Sequence, residues 1–568
     1  MFDSDKEIGE SLDPDKKAGS KLKLILIIVG CVILIAAIIV LIVFLAKKDK
    51  DDKDKDNTST KLTTIPLPED IIIDDGHYLF DGNIFICYKR NTTNFTYFGV
   101  ISDEGKNFKE LYGAPFKVPD KANGIRLIPF RDNKRVYLGD FIFECSDSTK
   151  TLSSCDKNKG VLIPVIYPEK VINNTFTYMI WSEMVVAPDM IHVAWTSLNM
   201  ACGAVDFLGK FERTADSYKI VDSKIISNIK FLEKDKTNET ILIPQVPRGG
   251  EIKQFVAGGN GLTLVGTQPD EFVKSVFQSL TTNETYTLSH EIGYDETSIL
   301  SPDEKLGIAM STRFSPKTSM GILGLMPRPY CSFVLSKIIE SVYTYSVANV
   351  RQYRKGNVGP VLFEKEKSMK DPNYHGIDLH DKEDKYVFNS PISWHPNNLK
   401  AIWPETLRGT KNRRLRKLEI SNYTPSEYPK LENTTDNVPY AIDMSEMDKI
   451  IYETKTNGII KGKNSGHIEY YNSGVSPSGQ TVKMTYVNFS NDGKKIYNGV
   501  EEFIGKREGK NAKNVYRSTV VLSGSEKGTN SFTLTFKVVD GKSDLIKEET
   551  SGSATYGGKT INAQDYEA

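Results

Sequence analysis

MVVAPDMIHVAWTS (Met184–Ser197), SILSPDEKLGIAMST (Ser298–Thr312) and PISWHPNNLKAIWPE (Pro391–Glu405) follow one plan: an apolar approach, a Pro/Asp/Asn corner, and a second apolar strand. LIPFRDNKRVYLGD (Leu127–Asp140), AIDMSEMDKIIYET (Ala441–Thr454) and YVNFSNDGKKIYNG (Tyr486–Gly499) repeat it. Five of the six copies place Asp or Asn at the corner: Asp132, Asp189, Asp303, Asn397 and Asp492. The exception is Met447, with Asp448 beside it. Such a side chain accepts a hydrogen bond from the backbone N–H two residues on and so fixes a tight hairpin. Five residues past the corner stand Tyr137, Ala194, Ile308, Ile402, Tyr452 and Tyr497, predicted to pack between neighbouring sheets.

The later corners recur at intervals of 50 and 45 residues, and the longer gaps are near twice that. Lys253–Thr267 (KQFVAGGNGLTLVGT) reads as a drifted copy, and the stretch around Tyr343–Tyr353 as another. Such a period, with several strands per unit, is what a β-propeller blade requires. A run of β-sandwich domains is the competing architecture and fits the longer period less well. The corner resembles the S-P-D-G-x-x-I-A-F hairpin of TolB-like propellers, and this resemblance implies fold rather than activity. The expected fold class is therefore all-β, with a propeller over residues 63–545 of about seven blades (six to eight fit the length). Phe532–Val539 alternates like a half-buried strand and is expected to pair near Thr63–Ile73, closing the ring. Residues 546–568 are expected to be disordered.

Ahead of the repeats, Leu24–Ala46 is 23 residues long and uncharged. As a helix it rises about 34 Å, enough to cross a hydrocarbon core of roughly 30 Å. It lies behind a polar tail, residues 1–23, and has no cleavage pattern before Lys47, so it reads as an uncleaved signal-anchor. Lysines flank it on both sides (Lys16, Lys17, Lys21 and Lys23; Lys47, Lys48, Lys50, Lys53 and Lys55), so charge asymmetry does not orient it. Residues 47–62 form a charged stalk. N-x-S/T acceptors occur only beyond the span, at Asn57, Asn91, Asn94, Asn173, Asn238, Asn283, Asn422, Asn433 and Asn488. Cys145 and Cys155, ten positions apart, are placed to close a disulfide, which needs an oxidising compartment. The expected topology is a single-pass protein with its C-terminal domain extracellular or lumenal. The pairing of Cys87, Cys202 and Cys331 stays open.

The 568-residue chain is 26% charged with a net charge of zero, so no global field draws it to nucleic acid. No G-x-S-x-G, H-E-x-x-H or CxxC pattern occurs, and no cofactor or metal is expected. His375 and His380, with Asp378 between them, are a weak metal motif. The basic run Arg408–Lys417 reads as a solvated hairpin. Phe314–Cys331 is a long loop and Ser332–Arg351 a helical run, together expected to build or cover a site.

The stretch DETSILSPDEKLGIAMSTR (Asp295–Arg313), with MPRPY (Met326–Tyr330) and GNVGPVLF (Gly356–Phe363), is similar to segments of fungal saponin hydrolases, secreted propeller-type glycosidases. The resemblance implies a glycosidase, although the membrane anchor departs from that secreted family. A glycosidase needs two carboxyl groups flanking the scissile bond, one of them protonated near neutral pH. By position beside blade strands the candidates are Glu183, Asp295, Glu296 and Glu405. Arg313 and Arg328 are candidates to pair with a substrate carboxylate. Two functions are in view: recognition of an extracellular glycan, glycoside or protein ligand, or membrane-tethered glycoside hydrolysis.

Overall fold

The structure is a computed structural model that describes Thr58–Asp565, apart from residues 91–92, 94, 113, 115, 120–123, 200–202, 229–230, 267–272, 291, 316–320, 331–332, 349–357, 372, 384 and 450–454. The expected tail, membrane helix and most of the stalk lie outside the described residues, as do Asn57, Asn91, Asn94, Cys31, Cys202 and Cys331. No helix among the described residues is long and apolar enough to cross a membrane. Contacts divide the chain into a small unit, Met1–Ser59 with Ser421–Tyr423, and a large one, Thr60–Ile420 with Thr424–Ala568.

Residues 59–421 form six antiparallel sheets of four strands, taken in chain order. The innermost strands are Ile71–Tyr78, Ile128–Pro129, Thr177–Val186, Glu251–Val256, Asp295–Leu300 and a split strand, Tyr386–Phe388 with Ser393–Trp394. Each touches the next, and the sixth returns to the first. The Trp394 indole N–H donates to Ile299 O, and Tyr78 N–H donates to Ser393 Oγ. This closed ring of sheets is a six-bladed β-propeller.

Its cores lie between blades rather than within them. Phe130, Tyr137, Trp181, Trp195 and Phe207 fill the space between blades two and three. Ile71, Ile73, Ile84, Ile86, Ile402 and Leu415 join blade one to blade six. Blade strands are therefore covered on both faces and read as apolar runs instead of clean alternation. Burying each such side chain stabilises the fold by roughly 1.5–3 kcal/mol.

The corner motif repeats as a structure. Asp81, Asp132, Asp189, Asp303 and Asn397 each accept the backbone N–H two residues on, at 2.8–3.3 Å. The residue between has positive φ in every case: Gly82, Asn133, Met190, Glu304 and Asn398. Neighbouring corners are tied together, Phe80 N–H donating to Asn133 Oδ1 and Asp303 N–H to Asn398 Oδ1, so they share one end of the ring. The described part of Lys253–Thr267, residues 253–266, lies in the blade-four hairpin, as its sequence predicts.

Other expectations need correction. The blades number six, not seven. Phe532–Val539 does not close the ring. Ser59–Thr64 does so, as the outermost strand of blade six beside Arg413–Ser421, with Ile65 N–H donating to Leu415 O. Asp492 makes the same corner (Lys494 N–H to Asp492 Oδ1, 2.8 Å) in a different body. Of Ala441–Thr454, residues 450–454 lie outside the described residues, and 441–449 form no blade hairpin. The Ile442–Asp443 segment pairs with the outer strand of blade three at the end of a strap, Thr424–Asp443, that crosses the corners of blades five, four and three.

The second body is one nine-stranded sheet, a meander of eight strands from Thr456–Lys461 through Lys559–Asn562 with Lys542–Leu545 pairing off Gly528–Val539. The propeller thus ends well before residue 545, and residues 551–562, expected to be disordered, supply the last two strands. Along Asn511–Gly524, Tyr516, Ser518, Val520 and Leu522 are buried and their neighbours exposed, so the sheet has one packed face. Against that face sit two helices, Gly321–Gly324 and Leu335–Tyr343, carried by a long insertion between the second and third strands of blade five. The second helix falls within the predicted helical run, burying Leu335, Ile338 and Val342.

Candidate functional site

Counted back from the last paired residue of each innermost strand, one position recurs. Three residues before Tyr78, Pro129, Val186 and Val256 stand Asp75, Arg126, Glu183 and Lys253; four before Leu300 stands Glu296. In blades one, three, four and five the register slips at or beside this point. Such bulges re-aim a side chain out of the sheet face. Because the strands stand side by side around the ring, equal depth brings these residues together inside it.

Lys253 is the hub. Its Nζ lies 3.1 Å from Glu183 Oε1, 2.9 Å from Glu251 Oε2 and 3.8 Å from Glu296 Oε1. Arg126 Nη2 reaches the same Glu183 oxygen at 3.2 Å, and the Tyr294 hydroxyl donates to Glu296 Oε2. The Lys253 side chain is 4% exposed while that of Glu183 keeps 18%, so the ammonium lies beneath the carboxylate. Burial works against the ammonium, but Glu183, Glu251 and Glu296 outweigh it and hold Lys253 charged, well above its ordinary pKa. Lys253 in turn keeps Glu251 below the usual carboxylate range. Glu183 likewise raises Arg126.

Asp75 differs. Burial pushes its carboxyl up to about 7, against a backbone hydrogen bond from Gly76 and the attraction of Arg126. Oδ1 accepts Gly76 N–H at 2.8 Å. Asp75 Oδ2 and Arg126 Nε are both buried with no hydrogen-bond partner among the described residues.

The blade-five insertion reaches this cluster. The Tyr343 ring, ending the Leu335–Tyr343 helix, stands 5.7 Å from that of Tyr294. Burial, with help from Glu340 of that helix and from Glu251, raises the exposed Tyr178 phenol.

Of the four acidic candidates, the structure brings together Glu183 and Glu296. Held 3.1 Å and 3.8 Å from one nitrogen, their two oxygens stand at most about 7 Å apart, a ceiling set by the shared Lys253 ammonium. Asp295 is fully buried against Arg313, at 2.6 Å. Burial alone would raise Asp295, but Arg313 outweighs it and lowers the carboxyl. Glu405 lies on the second strand of blade six, accepting from Trp403 Nε1 and Arg414 Nε. Arg328 is committed to Glu501 (3.0 Å) and Tyr516, against the second body. The basic run is likewise engaged: Arg413 donates to Asp74 O, Arg414 stacks on Tyr386, and Lys417 donates to Asp103 O.

Asp75, Arg126, Glu251, Lys253 and Tyr294 escaped the sequence reading. Asp75, Arg126 and Glu183 stand six residues ahead of the corner residues Asp81, Asp132 and Asp189. A charged residue at that fixed offset was the available signal. Cys145 and Cys155 form a disulfide, and Cys87 is a free, buried thiol. The six acceptor asparagines that are described, Asn173, Asn238, Asn283, Asn422, Asn433 and Asn488, are all exposed. Among the described residues no cluster of three or more His, Cys, Asp or Glu is arranged to hold a metal.

No protein-family profile matches the chain, and no curated protein matches it in sequence. Similar solved structures include a TolB protein from Agrobacterium tumefaciens, at 8% identity over 62% of this chain and 88% of that one, TM-score 0.32. An oligogalacturonate lyase from Vibrio parahaemolyticus is 9% identical over 64% and 96%, TM-score 0.33. A structure from work on two prolyl endopeptidases is 9% identical over 84% and 49%, TM-score 0.22. Similarity this distant carries no activity across, and the propeller assignment rests on strand order and ring contacts.

Proposed function

We propose that this chain is a membrane-anchored, extracytosolic recognition protein whose propeller mouth binds a hydroxyl-bearing ligand such as a glycan. The observation that carries this reading is the pair of buried atoms without partners among the described residues, Asp75 Oδ2 and Arg126 Nε. Buried polar groups of a folded chain normally have partners. A sugar hydroxyl, donor and acceptor at once, satisfies both kinds of atom. Anchoring is supported by the composition of Leu24–Ala46, and an oxidising address by the Cys145–Cys155 disulfide. Titrating the purified chain with a glycan panel tests the reading. Saturable binding that Arg126→Met weakens about ten-fold supports it, and binding indifferent to Arg126→Met and Asp75→Leu refutes it. Protease added to intact cells should digest residues 58–565, and their survival would reverse the topology.

A second reading, glycoside hydrolysis, rests on the convergence of Glu183 and Glu296 on one nitrogen. Against it, the buried Lys253 ammonium sits between the two carboxylates, where the scissile bond would have to lie. Aryl glycosides and glucuronides assayed across pH 4–8 separate the readings. Turnover abolished by either Glu183→Gln or Glu296→Gln would replace recognition with catalysis.

A further inference from the structure

Away from the propeller mouth, a cavity of about 300 Å³ opens where the blade-five insertion meets the second body. It is lined by Pro327, Arg328, Pro329, Asn491, Asp492, Lys495 and Tyr497. Arg328, Pro329 and Tyr497 also wall a narrower recess behind it, which continues to Tyr486, Glu501 and Asn530. Asn530 is 1% exposed, and its Oδ1 has no hydrogen-bond partner among the described residues. Its strand neighbours in the register are Val520 and Ala554, both apolar, so nothing beside it in the sheet can satisfy that oxygen.

Both cations lining the cavity are already paired. Arg328 is spent on Glu501 at 3.0 Å, on Tyr516 and on Leu323 O. At the opening, Lys495 is answered by Glu526 at 3.3 Å and stands beside Asp492. An anionic ligand would find no uncompensated cation and would lose its hydration on entry. A neutral ligand bearing hydroxyls loses less and can donate to amide and carboxylate oxygens. The Tyr497 ring and the two proline rings supply apolar surface for sugar C–H faces. Tyr497, whose hydroxyl donates to Pro327 O at 3.2 Å, lines both the cavity and the recess that holds Asn530. The volume is at the small end of ligand pockets.

We infer that this junction is a second ligand site, taking a small neutral saccharide or similar polyol that reaches Asn530 beside Tyr497. It is independent of the propeller mouth, because none of its residues belongs to the Lys253 cluster. Calorimetric titration of the full chain with neutral mono- and disaccharides, and with uronates of the same size, tests it. The expected result is saturable binding of a neutral sugar, weakened about ten-fold in Asn530→Leu, as loss of one or two hydrogen bonds implies. Asp492→Asn keeps the corner hydrogen bond and should weaken binding several-fold, which guards against misfolding of the buried variant. Arg126→Met should leave this binding unchanged. Equal affinity for uronates, no saturable binding of any neutral sugar, or binding indifferent to both variants would overturn the site.

Discussion

Lys253 and Glu183 meet at 3.1 Å across the boundary between blades four and three. Two neighbouring innermost strands each contribute one charge at the same depth, and Glu296 of blade five joins them at 3.8 Å. An ammonium sunk among carboxylates is costly to assemble and costlier to break. Removing Lys253 leaves Glu183, Glu251 and Glu296 close together with Arg126 left to answer them.

Lys253→Met should therefore lower stability by about 3–5 kcal/mol, read as a fall in the thermal midpoint at pH 7. The deficit should shrink toward pH 4, as protonation relieves the repulsion among Glu183, Glu251 and Glu296. A midpoint equal to that of the parent chain would show that the cluster is solvated rather than buried.

Asp75 gives a pH dependence of known sign. Its carboxyl titrates near 7 when folded and at 3.8 as a free side chain, so folding favours the protonated form. That contribution is complete below about pH 3.8, fades as pH rises toward 7, and is gone above it. Asp75→Asn, neutral at every pH, should match the parent near pH 4 and exceed it in thermal midpoint at pH 8. A constant difference across that range would count against the assignment.

The strap is latched by His192, whose ring nitrogens lie 2.6 Å from Asp189 and 3.1 Å from Asp436. Burial opposes the imidazolium, but the two carboxylates outweigh it and raise the pKa above 6.5. Asp189 is lowered to about 2: burial opposes this, but hydrogen bonds from His192 and the backbone prevail. The His192 contribution is present below pH 6.5 and lost as pH rises past its folded pKa; that of Asp189 is present above pH 3.8 and lost toward pH 2. Amide exchange at residues 432–436 should be slowest near pH 5, once corrected for intrinsic rates, and faster at pH 8.5. His192→Gln should flatten the alkaline limb only.

Ring closure by the N-terminal strand predicts the effect of truncation. A chain starting at residue 66 loses the strand on the outer edge of blade six and should melt lower and aggregate through the exposed edge. Unchanged melting would place closure elsewhere. The disulfide makes a smaller demand: reduction, or Cys145→Ser with Cys155→Ser, should cost about 2–3 kcal/mol by freeing a short loop in the unfolded chain.

The corners were legible because an Asx hairpin is made within a few residues: Asp132, Asp189, Asp303 and Asn397 did what their local sequence requires. Asp492 shows the limit of that reading. It forms the same corner, yet the hairpin it starts belongs to a separate meander. A hydrogen bond between residues two apart carries no information about which sheet receives the strands. Phe532–Val539 was rightly read as a strand and wrongly paired for the same reason.

The amino-acid sequence alone determined strand-rich repeats, their polar corners, the Cys145–Cys155 pair and the apolar character of Leu24–Ala46. Only the tertiary structure decided that six sheets close on Ser59–Thr64, and that Asp75, Arg126, Glu183, Lys253 and Glu296 share one cluster. Local hydrogen bonding and hydrophobic patterning act over a handful of residues. Ring closure and charge convergence join positions hundreds of residues apart, and exist only once every blade has packed against the next.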